Sequence, residues 1–242
     1  MARALARGWG DPVLISDAGS GRARALVEEL GGEAFDSNLE LARHADLIVL
    51  CHKPGQLAMV AAEIAAEVKP VVSVLAATPL AALQNAYPDR PMFRTMPNTP
   101  VEVRQGVTCY VAAPGAPAEL EREVTSLFER VGSLVPLPES LFDVAGAVSS
   151  VGPAYQALLA EAQVDAAVRY GLGAPVAGRL VAETMAGTAT LLTHRNYDTL
   201  AVRREVTSPG GGTARGLAAL ERAGVRGAFQ DAIDALRDWG TG

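Results

Sequence analysis

Three consecutive glycines between hydroxyl-bearing residues carry the strongest chemical signal in this chain: Ser208-Pro209-Gly210-Gly211-Gly212-Thr213. A backbone without Cβ atoms reaches φ > 0 freely and lets a ligand come close. Its N–H groups can line a concavity for an anion, and Ser208 and Thr213 add hydroxyls at either end. Apolar residues then resume at Leu217, Leu220, Ala223 and Phe229, so the loop feeds a helix N-terminus, where a carboxylate or phosphate is favoured. On residue types alone, a glycine-rich turn between two helices explains the stretch equally well. The chemical reading gains weight beside two other stretches, Met96-Pro97-Asn98-Thr99-Pro100 and Val151-Gly152-Pro153-Ala154-Tyr155.

Other chemistries are poorly served. His44 and His52 have no cysteine or carboxylate at ligand spacing, so no metal site is expected. Glu161 and Asp165 share a helical face at i, i+4 and read as interface or solvated residues rather than an acid–base pair. Lys53 reads equally as a surface charge at a strand end, and Asn98, between two prolines, as the cap of a turn. With 21 basic against 27 acidic residues, a net charge of −6 and no basic run, nucleic acid and anionic membranes are not expected partners. Cys51 and Cys109 sit in apolar runs, which fits buried thiols in a reducing compartment. The first residues lack the apolar core of a signal peptide and no window reaches the ~18 apolar residues of a membrane span, so the expected location is the cytoplasm.

The elements that position these residues fall into two patterns. Up to about Pro136, short apolar runs alternate with helical segments. The runs are Val13–Ser16, Leu47–Cys51, Val71–Leu75, Met92–Thr95 and Gly106–Ala112; the helices are Ser20–Leu30, Gln56–Val68, one opened by Pro79, and Glu119–Arg130. Continuous apolar strands separated by helices predict a parallel sheet covered on both faces, with ligands beyond the carboxyl ends of the strands. Asp17, His52-Lys53-Pro54, Ala76-Ala77-Thr78 and Met96-Pro97-Asn98 stand there. After Pro138 only helices are expected: about Leu141–Val148, Ala154–Tyr170, Ala174–Thr193, Leu200–Val206 and Thr213–Trp239. Small residues such as Ala162, Ala166, Ala182, Ala186 and Gly187 stud two of them and cannot close a core alone in ~100 residues, so this part is expected to pack against a second copy. The domains predicted are residues 1–138 and 139–242.

Four motifs in order resemble the pyrroline-5-carboxylate reductase family: Cys51-His52-Lys53-Pro54 after a strand, Arg94-Thr95-Met96-Pro97-Asn98-Thr99-Pro100, Gly152-Pro153-Ala154-Tyr155, and Thr207-Ser208-Pro209-Gly210-Gly211. The resemblance covers nearly the whole chain. It implies an α/β Rossmann-type domain followed by an all-α dimerisation domain, in an oligomer built from dimers. The implied reaction is NAD(P)H-dependent reduction of 1-pyrroline-5-carboxylate to L-proline, with NADP(H) favoured over NAD(H). Ser208, Gly211, Gly212 and Thr213 then hold the substrate carboxylate, and Ser208 and Thr213 are the catalytic candidates, the Thr213 hydroxyl facing the ring nitrogen. The implied cofactor set is Asp17, Asn38, His52, Lys53, Pro54, Ala76 and Asn98, with Asn38 on the adenosine side and Lys53, Pro54 and Asn98 beside the nicotinamide. Another imine or β-hydroxyacid reductase on the same architecture, or a non-catalytic relative, is the alternative.

One departure bears on the cofactor. A Rossmann domain opens with a strand and Gly-x-Gly-x-x-Gly, whose turn receives the pyrophosphate. This sequence shows neither, because Met1–Gly8 resembles the helix that follows those glycines. The first strand and its loop are expected to lie outside the sequence, by a start assigned downstream rather than by natural truncation. That strand is central in the order 3-2-1-4-5, so the sheet is expected to carry a slot. Ala18 stands where many relatives have arginine, and Asp17 is placed to accept from a ribose 2′-OH, which would favour NADH. Ala77 replaces a usual glycine, and Val151 a usual small polar residue.

Overall fold

The fold comes from a computed structural model that describes residues 1–17 and 19–237; Ala18 and Trp239 lie outside the described residues. The chain forms two compact units, Met1–Pro153 and a second that begins at Ala154.

The first unit is built on strands. β1 (Val13–Ser16) pairs in parallel with β2 (Gly32–Phe35). A second ladder runs in the order β3 (Ile48–Leu50), β4 (Val71–Ser73), β5 (Met92–Pro97), β6 (Gly106–Ala112) and β7 (Gly132–Pro136). Among the described residues no strand joins β1 to β3, which is the slot expected from the sequence. The sheet is mixed rather than wholly parallel, because β5 and β6 are antiparallel. Only a 3-10 turn (Thr99–Val103) and its flanks connect them, too short for the crossover of a dozen or more residues that parallel pairing needs. β2 and β7 were not expected. Gly32-Glu33-Ala34-Phe35 and Gly132-Ser133-Leu134-Val135-Pro136 have no β-branched run, and each pairs on one side only.

Helices cover both faces: α1 (Ala2–Trp9), α2 (Arg22–Leu30), α3 (Asn38–His44), α4 (Leu57–Glu63), α5 (Leu80–Ala86), α6 (Ala118–Glu129) and α7 (Phe142–Ser149). Successive strand side chains point to opposite faces, which divides the core. Val71 and Met92 join Ala42, Ile48, Leu83 and Tyr87 from the side of α3, α4 and α5. Val72 and Phe93 join Leu5, Val101, Val124 and Phe128 from the side of α1 and α6. Each large side chain so buried contributes about 1.5–3 kcal/mol. A Cβ on Gly8 would lie 2.1 Å from the Val101 carbonyl oxygen, so glycine is what lets α1 reach the Thr99–Val103 turn.

The second unit is helical: α8 (Gly152–Arg169), α9 (Ala174–His194), α10 (Thr199–Glu205), α11 (Gly212–Arg222) and α12 (Val225–Arg237). The single helix expected over 213–239 is two. Gly224 takes φ 77° after α11, the left-handed conformation that ends helices and that glycine adopts without steric cost. Among the described residues of this unit only Ala177 and Val202 are buried, while Leu158, Leu180 and Leu220 are exposed.

Candidate active site

β3, β4 and β5 run parallel, so their carboxyl ends share one edge of the ladder. After β3 the backbone passes through Cys51 and His52 to Lys53 and Pro54, where a 3-10 turn (Pro54–Gln56) begins. Burial pushes the Cys51 thiol up to about 11, so it stays protonated at neutral pH and is no nucleophile. His52 Nδ1 lies 2.9 Å from the Lys53 carbonyl oxygen, while its Nε2 is buried without a partner among the described residues. Lys53 is exposed, and its N–H is donated to Gln56 Oε1 at 3.2 Å. After β4 the chain turns through Ala76, Ala77 and Thr78. Ala77 has φ 49°, and the buried Thr78 donates its hydroxyl to the Ala76 carbonyl at 3.0 Å.

Asp17 follows β1. Its Oδ1 accepts the N–H groups of Gly19 (2.9 Å) and Ser20 (3.0 Å), and its Oδ2 accepts the Ser20 hydroxyl (2.7 Å) and the Ala23 N–H (3.0 Å). The Ser20 hydroxyl, with the Ala23 amide next, holds the carboxyl down at about 2. Its acceptor sites thus serve the start of α2, and the amides of Gly19 and Ser20 are taken by the chain's own carboxylate. Asn38, the first residue of α3, is similarly engaged: its Oδ1 faces the Ser16 hydroxyl at 2.5 Å and its Nδ2 donates to Glu63 Oε2 at 2.5 Å.

Alternate residues of β5 and the residue after it lie along α7 and the turn that precedes it. Arg94 donates to Glu139 Oε1 at 2.7 Å and to Asp143 Oδ1 at 3.2 Å, with its guanidinium 4.3 Å from the Phe142 ring centroid. Met96 abuts Gly146, where a Cβ would stand 2.7 Å from the methionine sulfur. Asn98 donates to the Ser149 carbonyl at 3.1 Å and accepts the Val107 N–H at 2.8 Å. The Asn98 amide, expected beside the cofactor, is buried and spent on holding α7 and β6. Arg94, Glu139 and Asp143 were not singled out from the sequence; a charged residue inside the apolar run Met92–Thr95 was the available signal.

In the second unit, Ser208 and Thr213 are exposed at either end of the glycine run. Gly210 has φ 68°, and the Gly211 N–H returns to the Ser208 carbonyl at 3.1 Å. A Cβ on Gly211 would stand 2.4 Å from Ser208 Oγ, so this position must be glycine if Ser208 is to keep its place. Gly211 is the N-cap of α11 and brings no side-chain oxygen to its first turn. Among the described residues the first N–H groups of this 11-residue helix therefore have no capping side-chain acceptor, and two hydroxyls stand beside them. Among the described residues no cluster of three or more His, Cys, Asp or Glu side chains is arranged for a metal ion. No described helix is long and apolar enough to cross a membrane.

Comparison with known proteins matches both parts. The family model "Pyrroline-5-carboxylate reductase dimerisation" matches residues 139–239, and "NADP oxidoreductase coenzyme F420-dependent" matches residues 1–77. A pyrroline-5-carboxylate reductase of Synechocystis is 34% identical over 227 residues, covering 93% of this chain and 85% of that protein. The solved Streptococcus pyogenes 1-pyrroline-5-carboxylate reductase superposes with TM-score 0.89 at 28% identity, over 99% of this chain and 94% of that one. The Plasmodium falciparum pyrroline carboxylate reductase, solved with NADP bound, gives TM-score 0.88 at 26% identity, over 98% and 92%. The strand–helix alternation, the glycine loop feeding α11 and these matches along both units agree: the chain belongs to the pyrroline-5-carboxylate reductase family.

Proposed function

We propose that this protein reduces 1-pyrroline-5-carboxylate to L-proline with a reduced nicotinamide dinucleotide, NADP(H) in preference to NAD(H), as a cytoplasmic oligomer built from dimers. The observation that carries the reading is the uncapped N-terminus of α11 within the Ser208–Thr213 loop. It suits a small carboxylate, which N–H donors and a helix dipole favour and which needs no basic side chain. The family's relatives, one of them solved with NADP, support the dinucleotide.

The carboxyl edge of β3–β5 fits such a cofactor. The buried, unpartnered His52 Nε2 calls for a polar group, and Lys53 supplies an exposed cation next to it. His52, Lys53, Pro54 and Ala76 would hold the nicotinamide end, with Asp17 and Asn38 on the adenosine side. When bound, the reduced nicotinamide supplies hydride from C4 to an electrophilic carbon. The chain's own part is mainly placement, because a protonated cyclic imine is already electrophilic at its C=N carbon, which becomes C5 of proline. The amides of Gly212 and Thr213, with the Ser208 hydroxyl, fix the ring through its carboxylate, while the Gly211 amide closes the turn onto the Ser208 carbonyl. The Thr213 hydroxyl stands at the first turn of α11, where it can serve the ring nitrogen.

A substrate panel tests this. With NADPH, 1-pyrroline-5-carboxylate should turn over, and 1-pyrroline, which lacks the carboxylate, should lose kcat/KM by about ten- to hundredfold, the worth of hydrogen bonds to a charged group. Equal rates on both would remove the α11 loop from substrate recognition. Faster NADP-linked oxidation of a β-hydroxyacid would favour the other reductase class.

A further inference from the structure

We propose that Glu139 is a positioning residue for the dinucleotide site: its carboxylate locks the strained turn after β4 to the strand that carries Met96 and leads into Asn98. The proposal rests on the functional reading above. One oxygen does both tasks. Glu139 Oε1 accepts the Leu80 N–H at 2.8 Å and the Arg94 guanidinium at 2.7 Å. α5 needs that help, since Pro79 at its N-cap has no side-chain acceptor. Arg94 is buried in β5 and leans on the Phe142 ring, so it fixes where the carboxylate stands. The arrangement has no spare partner: Arg94 Nε and Glu139 Oε2 are buried without hydrogen bonds among the described residues, and the second carboxylate, Asp143, is largely exposed.

What Glu139 restrains is under strain. Ala77, three residues before Leu80, holds φ 49°, a conformation in which an alanine Cβ crowds the following carbonyl. Thr78 is buried and bonded to Ala76, so the turn is pinned on one side by its own hydroxyl and on the other by Glu139 through Leu80. Loosening the second pin lets Ala77 relax toward negative φ. The Ala76–Ala77 peptide would then swing at the carboxyl end of β4, where the nicotinamide end is placed. Glycine at position 77 has no such drive to relax. Glu139 and Ala77 should therefore be coupled.

The test uses the full chain with Glu139→Gln, alone and combined with Ala77→Gly, reading the NADPH Kd, kcat at saturating NADPH, and hydrogen exchange of segment 76–83. Glu139→Gln should raise the Kd about tenfold, speed exchange of the segment about as much, and leave kcat at saturating cofactor within about twofold. Adding Ala77→Gly should recover most of the affinity. A Kd unchanged by Glu139→Gln overturns the proposal, as does a loss that Ala77→Gly does not lessen, since that is the mark of general destabilisation. If the glutamine variant does not fold, Glu139→Asp, which retracts the charge by one methylene, carries the same expectations. If the unaltered protein binds no NADPH, the functional reading fails. Exchange then decides the coupling alone: faster in Glu139→Gln and slowed again by Ala77→Gly supports it, and any other pattern overturns it.

Discussion

At the scale of the residue, exposed hydroxyls and spent polar groups separate clearly. Thr213 is exposed on the first turn of α11 and is expected to act on substrate alone. Thr213→Ala should lower kcat/KM by about ten- to hundredfold, the worth of one bond to a charged centre, and leave the NADPH Kd nearly unchanged; wild-type kinetics would remove it from the site. Asp17 is the opposite case, its carboxylate turned onto its own chain. A folded carboxyl held at about 2, below its ordinary 3.8, stabilises the fold fully above the ordinary value and loses that contribution as pH falls through about 2. Urea midpoints between pH 5 and pH 2 should fall more steeply for the unaltered protein than for Asp17→Asn, and at neutral pH the variant should lose about 1 kcal/mol of helix capping. Parallel pH profiles would contradict the capping role. The sequence showed that Asp17 and Asn98 stand at strand ends. For Asn98 it could not show that the side chain turns inward, because the partner Ser149 is set by tertiary packing; the Asp17 partners lie within six residues, in the Asx-type turn that Asp17-x-Gly19-Ser20 allows.

At the scale of the element, what could be read depended on how strongly residue type dictates backbone. Val13–Ser16 and Gly106–Ala112 are apolar enough to be strands in any sheet, and both strands have the bounds that the sequence predicts. β2 and β7 form because a neighbour offers an edge, and their residues carry no such preference. The antiparallel turn into β6 was legible only in the brevity of the Thr99–Val103 connection. Gly224 breaks the helix expected over 213–239, although the apolar rhythm runs across it. With φ 77° and nothing within 4 Å of a built Cβ, Gly224→Ala should cost about 1 kcal/mol through backbone strain alone. An unchanged urea midpoint would mean that α11 and α12 can fuse. Gly211→Ala should act on function instead, since its Cβ must displace Ser208 Oγ from 2.4 Å. Its KM for the imine should rise with little change in melting temperature.

At the scale of the whole molecule, the second unit explains why association is expected. Helices with only Ala177 and Val202 buried among the described residues leave Leu158, Leu180 and Leu220 exposed, apolar side chains that packing against a second copy would cover. Ala186→Glu, in the middle of α9, should yield monomers or aggregates, whereas the unaltered protein should scatter light as a dimer or a multiple of it at micromolar concentration. A monomer there would contradict the expected assembly. The central claim is that this chain reduces the C=N carbon of a cyclic imine, the carbon that becomes C5 of proline, and isotope transfer tests it most directly. Purified protein, 1-pyrroline-5-carboxylate and NADPH carrying deuterium at both C4 positions should give L-proline with one deuterium at C5. Unlabelled proline, or no proline beyond that formed without protein, would contradict it.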